Sequence, residues 1–124
     1  MHATIRRWKD ATKLIAEIER RAQEVETIVS STPGFVAYQA VKSGDTLISI
    51  TVCQDKNGTD EVNRRSAQWV RDNFPNETAA GFTPEITDGE EFLTFQAPQR
   101  LGNTTTSRTF NNTVDTKPTN EATL

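Results

Sequence analysis

Residues 47–52, which read LISITV, restrict the fold more than any other stretch of this chain. Ile48, Ile50 and Val52 alternate with Leu47, Ser49 and Thr51, the period of two that belongs to a strand with two unlike faces. β-Branched residues dominate it, which suits a pleated surface. A helical period follows closely. Val62, Ser66, Trp69, Val70 and Phe74 share one side of a helix expected over residues 60–74 and ended by Pro75. The two periods together ask for a mixed α and β domain.

The other elements follow from the same two periods. His2–Trp8 reads as a short strand, with Ile5 on one face and Thr4, Arg6 and Trp8 on the other. Asp10 is expected to cap the next helix, because its carboxylate can accept from the open N–H groups of a first turn. Ala11, Leu14, Ile15, Ile18, Ala22, Val25 and Val29 form one continuous apolar stripe on that helix. Glu17, Arg20, Arg21 and Glu24 occupy its charged face. It stops before Pro33, which drives the preceding residue out of the α region, and Gly34 supplies the turn.

Residues 35–41 form a second strand that turns through 42–45, with Gly44 where positive φ is needed, and pairs with 47–53 as a hairpin. Residues 55–59 are a polar loop offering helix caps. Residues 76–89 read as a long connection pinned by Phe82 and Ile86. Residues 90–96 (EEFLTFQ) read as the last strand, which closes a domain of residues 1–96. The segment 97–124 is rich in Thr and Asn and has no period. It is expected to be either a disordered tail or an extended arm laid on a partner.

Strand, helix, strand, strand, helix, strand is the split βαβ order. The expected fold class is therefore α+β, ferredoxin-like βαββαβ, with a four-stranded antiparallel sheet and two helices on one face. Each helix has one apolar stripe, so both must cover the same side of the sheet. Ile48, Ile50 and Val52 are expected to point at the helices, leaving Ser49, Thr51 and Cys53 on a bare face. A half-apolar bare face is a partner surface, and two copies facing each other would make a homodimer, a dimeric α+β barrel.

Composition narrows the function. The chain of 124 residues holds one core and carries a formal charge of −3 with scattered Lys and Arg, which argues against a nucleic-acid surface. No window approaches the ~20 apolar residues of a membrane span, so no membrane partner is expected. Cys53 is the single cysteine and cannot make an internal disulfide or a multi-Cys metal site. A cytoplasmic, reducing location is the expectation, with no leader at the N-terminus. The Asn-x-Ser/Thr matches at Asn57, Asn76, Asn103 and Asn111 then have no glycosylation role. No metal site and no glycine-rich phosphate loop are read from the sequence.

Several residue groups resemble one family. Pro33, Gly34 and Phe35 are followed by Tyr38. Ser49 to Val52, Asn63 with Arg64, and the run Trp69, Val70, Arg71, Asp72, Asn73 come next. With Ile5 to Trp8 and Pro84 to Thr87 before Gly89, these are similar to the antibiotic biosynthesis monooxygenase-like proteins of the dimeric α+β barrel group. The resemblance covers about residues 1–95 and lies mainly in structural motifs. It implies a homodimer with a pocket between sheet and helices in each subunit. It also implies oxidation of aromatic or quinol-type substrates by oxygen without a cofactor. One branch of the family degrades haem with an Asn, a Trp and a His ligand. Trp69 matches that Trp by position, but the sole histidine is His2, at the wrong end of the chain, so no haem and no other cofactor is expected.

Candidate site residues divide by chemistry. Trp69, Arg7 and Asn63 are the catalytic candidates, and Tyr38, Trp8 and Trp69 are the substrate-binding ones. An indole at Trp69 can wall a pocket and donate one hydrogen bond; the competing role is a core anchor. Tyr38 and Trp8 can stack a ring or simply pack on the sheet. Arg6 and Arg7 can hold an anionic oxygen or pair with a carboxylate, and strand parity admits only one of them to a pocket. Asn63 can bond a ligand or face solvent. Cys53 is expected as a small buried hydrophobe with no histidine to activate it, and His2 as a fraying terminus. The expected function is cofactor-independent oxidation of a small aromatic or quinol-type molecule. The alternative is a non-catalytic, stress-related dimeric module that binds a small molecule.

Overall fold

The structure is a computed structural model that describes residues 1–98; the expectation for the Thr- and Asn-rich segment falls mainly on residues 99–124, outside those described. Met1–Phe92 form one compact unit. The elements run β1 His2–Trp8, α1 Thr12–Arg20, α2 Ala22–Ser30, β2 Phe35–Ser43, β3 Thr46–Cys53, α3 Lys56–Asn73, α4 Pro75–Ala79 and β4 Glu85–Glu90. The sheet order is β2-β3-β1-β4, with every pairing antiparallel. β1 is thus central, although it begins the chain. This is the ferredoxin-like α+β fold that the alternation of periods predicts.

The sheet presents the opposite face to the helices from the one expected. Along β3, Leu47, Ser49, Thr51 and Cys53 are the buried set. Leu47 packs with Trp8, Leu14 and Trp69, and Cys53 with Val29 and Val62. Ile48, Ile50 and Val52 lie on the other face, beside Ile5 and Val41, which are 39% and 50% exposed. Apolar character alone does not decide which face meets the helices. Small Ser and Thr side chains let the helical layer approach closely, whereas the β-branched aliphatics are left on a face that no helix among the described residues covers.

The first helix is divided. α1 and α2 meet at Arg21 (φ −120, ψ 36), yet the backbone bonds from Arg21 N to Glu17 O and from Val25 N to Arg21 O persist, so the break is a kink. Asp10 does not cap α1. It adopts a positive φ of 54, and Ala11 takes the cap position without a side-chain bond. α3 starts earlier than expected because Asp55 caps it, accepting from Gly58 N at 3.2 Å. Pro75 both ends α3 and opens the short α4.

β4 occupies residues 85–90 rather than 90–96. Its register with β1 runs from Arg7↔Glu85 to His2↔Glu90, and a last bond joins Glu91 N to Met1 O. Among the described residues, 91–98 take no strand conformation, and the β1–β4 register closes at His2↔Glu90. Phe82 does pin the connection, its ring 4.9 Å from that of Trp8. Ile86 does not; it is 48% exposed. Nor is His2 a frayed end: it is paired with Cys53 and Glu90, and its Nε2 lies 3.7 Å from Asp88 Oδ1.

Candidate ligand pocket

The helix-facing sides of β1, β2 and β3 and the inner sides of α1, α2 and α3 line a cavity of about 40 Å³. Its walls are largely apolar, with Trp8, Leu14, Leu47 and Trp69 prominent and Arg6, Ser49 and Tyr38 supplying polar groups. One water centre needs ~10–15 Å³ and an engineered cavity that takes benzene measures ~150 Å³. The cavity as it stands therefore holds a few waters, and a ring enters only if a wall moves.

Arg6 is the unusual member. It is 3% exposed, and its Nη1 donates to Asn63 Oδ1 at 2.7 Å. Asn63 Nδ2 in turn donates to Thr4 Oγ1 at 3.1 Å. Burial pushes the guanidinium below its ordinary value, and the facing Tyr38 phenol opposes that shift. Among the described residues no Asp or Glu oxygen pairs with it. Ser49 stands directly opposite Arg6 in the β1–β3 register. It is 2% exposed, and among the described residues its hydroxyl has no hydrogen-bond partner.

Arg7, the expected cation, is placed elsewhere. It points to the uncovered face, with its side chain 49% exposed and 3.9 Å from Glu85. Strand alternation decides this, and the parity that puts Trp8 in the cavity puts Arg6 there too. The signal for Arg6 was in the sequence. Asn63 is half-buried and outside the cavity lining; both ends of its amide are engaged by Arg6 and Thr4, so it orients the arginine. Cys53 is sealed, and burial pushes its thiol up, which suits packing.

Trp69 lines the cavity with its ring but turns its N–H away from it. Nε1 donates to Glu24 Oε2 at 2.9 Å, and the Arg21 guanidinium lies 5.2 Å from the ring centroid. Arg21 also bonds Glu17 and Glu24 and reaches Asn73 on α3. The Arg21 guanidinium first, and the Trp69 indole second, hold the Glu24 carboxyl below its usual range. This cluster clasps the α1–α2 kink to α3. Sequence reading missed it because its members are scattered over two helices and look like solvated charges.

A haem does not fit these residues. No imidazole lines the cavity, and His2 sits beside Asp88 at the far end of β1. Among the described residues no group of three or more His, Cys, Asp or Glu could hold a metal ion, and no helix is long and apolar enough to cross a membrane.

Fold and cavity together define a ferredoxin-like α+β protein with a small, partly polar pocket under its helices. No family model matches the chain, and no curated protein does. Solved structures do share the fold. A Nitrosomonas europaea protein of unknown function, NE2512, is 17% identical over 80% of this chain and 95% of its own, with a TM-score of 0.58. A candidate antibiotic biosynthesis monooxygenase from the same organism is 12% identical over 75% of this chain and 100% of its own, at 0.55. The Streptomyces coelicolor monooxygenase ActVA-Orf6, solved with nanaomycin D, is 12% identical over 78% and 92%, at 0.52. The chain therefore has the fold of the antibiotic biosynthesis monooxygenase-like structures, as its sequence motifs suggest.

Proposed function

We propose that the protein binds a small aromatic or quinol-type molecule in the cavity beside Trp69 and oxidises it with dioxygen without a cofactor. The observation that carries this reading is the buried arginine facing an apolar, aromatic-walled hollow. An aromatic ring suits those walls, and a guanidinium stabilises an oxygen that gains negative charge as a quinol gives up a proton. The quinol then loses two electrons and its second proton, and dioxygen takes up both electrons and both protons as hydrogen peroxide. If oxygenation occurs instead, one oxygen atom enters the ring system and the other leaves as water. Arg6, held by Asn63, is the group assigned to the oxyanion. Trp8, Trp69 and Tyr38 hold the ring and exclude water. Entry requires the α1–α2 segment to swing outward, because it contributes Leu14, Ile18, Val25 and Ile28 to the walls.

The working unit of this proposal is a homodimer built on residues 1–96. The aliphatic face of Ile5, Ile48, Ile50, Val52 and Val41 supplies the contact between copies. The similarity of the fold to the monooxygenase structures supports the reading at the level of architecture.

A second reading, binding without turnover, is favoured by one observation: among the described residues no carboxylate or imidazole lines the cavity to take the proton. An oxygen electrode separates the two. Wild-type protein incubated with a panel of hydroquinones and polyphenols should consume oxygen faster than buffer, and Arg6→Met should lose that excess. Binding of the same compounds with no consumption would leave the second reading.

A further inference from the structure

We infer that the cavity takes its ligand as an aromatic monoanion, the ionised oxygen seated between the Arg6 guanidinium and the Ser49 hydroxyl; this rests on the ligand-binding reading above but not on turnover. Arg6 is almost wholly withdrawn from water; it donates to the Asn63 amide oxygen and is met by the Tyr38 phenol, with no Asp or Glu oxygen paired to it among the described residues. A buried cation without a carboxylate is costly, and replacing such a group by an apolar side chain is commonly neutral or stabilising. Holding β1 to α3 therefore does not by itself account for an arginine here. A ligand that brings the missing negative charge does.

Ser49 gives the second and independent sign. Most buried hydroxyls are hydrogen-bonded in folded proteins, yet among the described residues this one, like those of Thr51 and Thr78, is buried without a partner, and of the three Ser49 is the one in the cavity lining. Residues directly opposite on an antiparallel pair hold their Cβ atoms ~4.5–5.5 Å apart on one face, and Arg6 and Ser49 both line the cavity, so a ligand oxygen placed between them is offered donors by both. The remaining walls are apolar and aromatic, which suits a ring. Tyr38 lines the same cavity, and its phenol opposes the downward shift of Arg6.

The shared chemistry is an ionised oxygen on a ring, which a phenolate, an enolate or a carboxylate can each supply. The test uses single-ring probes and reads tryptophan fluorescence and probe absorbance on the full chain. 4-Nitrophenol and benzoate are the anionic arms, and 4-nitroanisole and nitrobenzene are neutral controls. The anions should bind at least ~10-fold more tightly than the neutral rings, and bound nitrophenol should ionise about one pH unit lower than in water, the same tenfold factor. The stronger of the two anionic arms identifies the source of the oxygen. Arg6→Met should abolish the preference while keeping 4-nitroanisole binding. Ser49→Ala, which disturbs packing far less, should weaken the anions several-fold and leave the neutral rings unchanged. Equal binding of anionic and neutral rings, or an anion preference that survives both substitutions, overturns the inference and leaves the pocket standing. Failure of every ring to bind removes the pocket reading and this inference with it.

Discussion

Gly58→Ala should destabilise the protein although it improves a helix. Gly58 lies in the first turn of α3, and Ala is favoured over Gly by up to ~1 kcal/mol in a helix interior. The added Cβ, however, would fall 2.7 Å from Cys53 Cβ, 3.1 Å from Cys53 Sγ and 3.2 Å from the Pro33 carbonyl oxygen. Carbon atoms prefer ~3.5–4.0 Å, so α3 must lift by roughly 1 Å from β3. None of the three neighbours is the free end of a flexible side chain. Overpacking of this kind costs ~1–3 kcal/mol; less the helical gain of up to ~1 kcal/mol, the mid-range net loss is ~1 kcal/mol and the upper end at full gain ~2 kcal/mol. For a unit of this size each kcal/mol lowers Tm by ~4–8 °C. Urea unfolding followed by tryptophan fluorescence should show an earlier midpoint at unchanged m-value. Cys53→Gly removes the offending Cβ, so it should cost less in the Gly58→Ala background than in wild type. A Gly58→Ala protein as stable as the parent would refute the close approach of α3 to β3, and with it the argument that Cys53 is a packing residue.

Further outcomes follow from the site and its clasp. Trp69→Phe removes the donor to Glu24 but keeps a ring on the cavity wall. It should cost about 1 kcal/mol, the net value of one hydrogen bond, and leave ring affinity within about twofold; a large loss of affinity would place the indole N–H on the ligand. Glu24 is held below its ordinary 4.5, chiefly by Arg21, and Glu61 is pushed down to about 2, chiefly by Arg64. Both folded values lie below the unfolded ones, so these pairs support the fold above pH 4.5 and lose that support as pH falls through the lowered values. Carboxyl-carbon NMR titration should show both midpoints depressed, with the Trp69 indole N–H signal moving alongside Glu24. Ile50→Lys on the uncovered sheet face should dissociate the dimer in sedimentation runs while leaving the circular dichroism of the subunit unchanged. A stable lone protomer in the wild type removes the homodimer proposal.

The sequence by itself determined the order of elements and the fold class. Period-two and period-3.6 patterns, Pro33, Gly44 and Pro75 are local signals, and they are read within a few residues of where they act. Alternation also fixed that Thr4, Arg6 and Trp8 travel together, which is enough to reject Arg7 once Trp8 is in the pocket. Tertiary structure decided the rest. Which side of β3 meets the helices depends on how closely the layers approach, and Ser49, Thr51 and Cys53 allow the closer approach although Ile48, Ile50 and Val52 are the more apolar set. The register of β4 is set by its pairing with β1, a strand distant from it in sequence. The lone charge of Arg6, the idle hydroxyl of Ser49 and the grip of Arg21 on Trp69, Glu24 and Asn73 exist only between segments distant in sequence. Charge and hydrogen-bond satisfaction are properties of a neighbourhood, and folding alone assembles it.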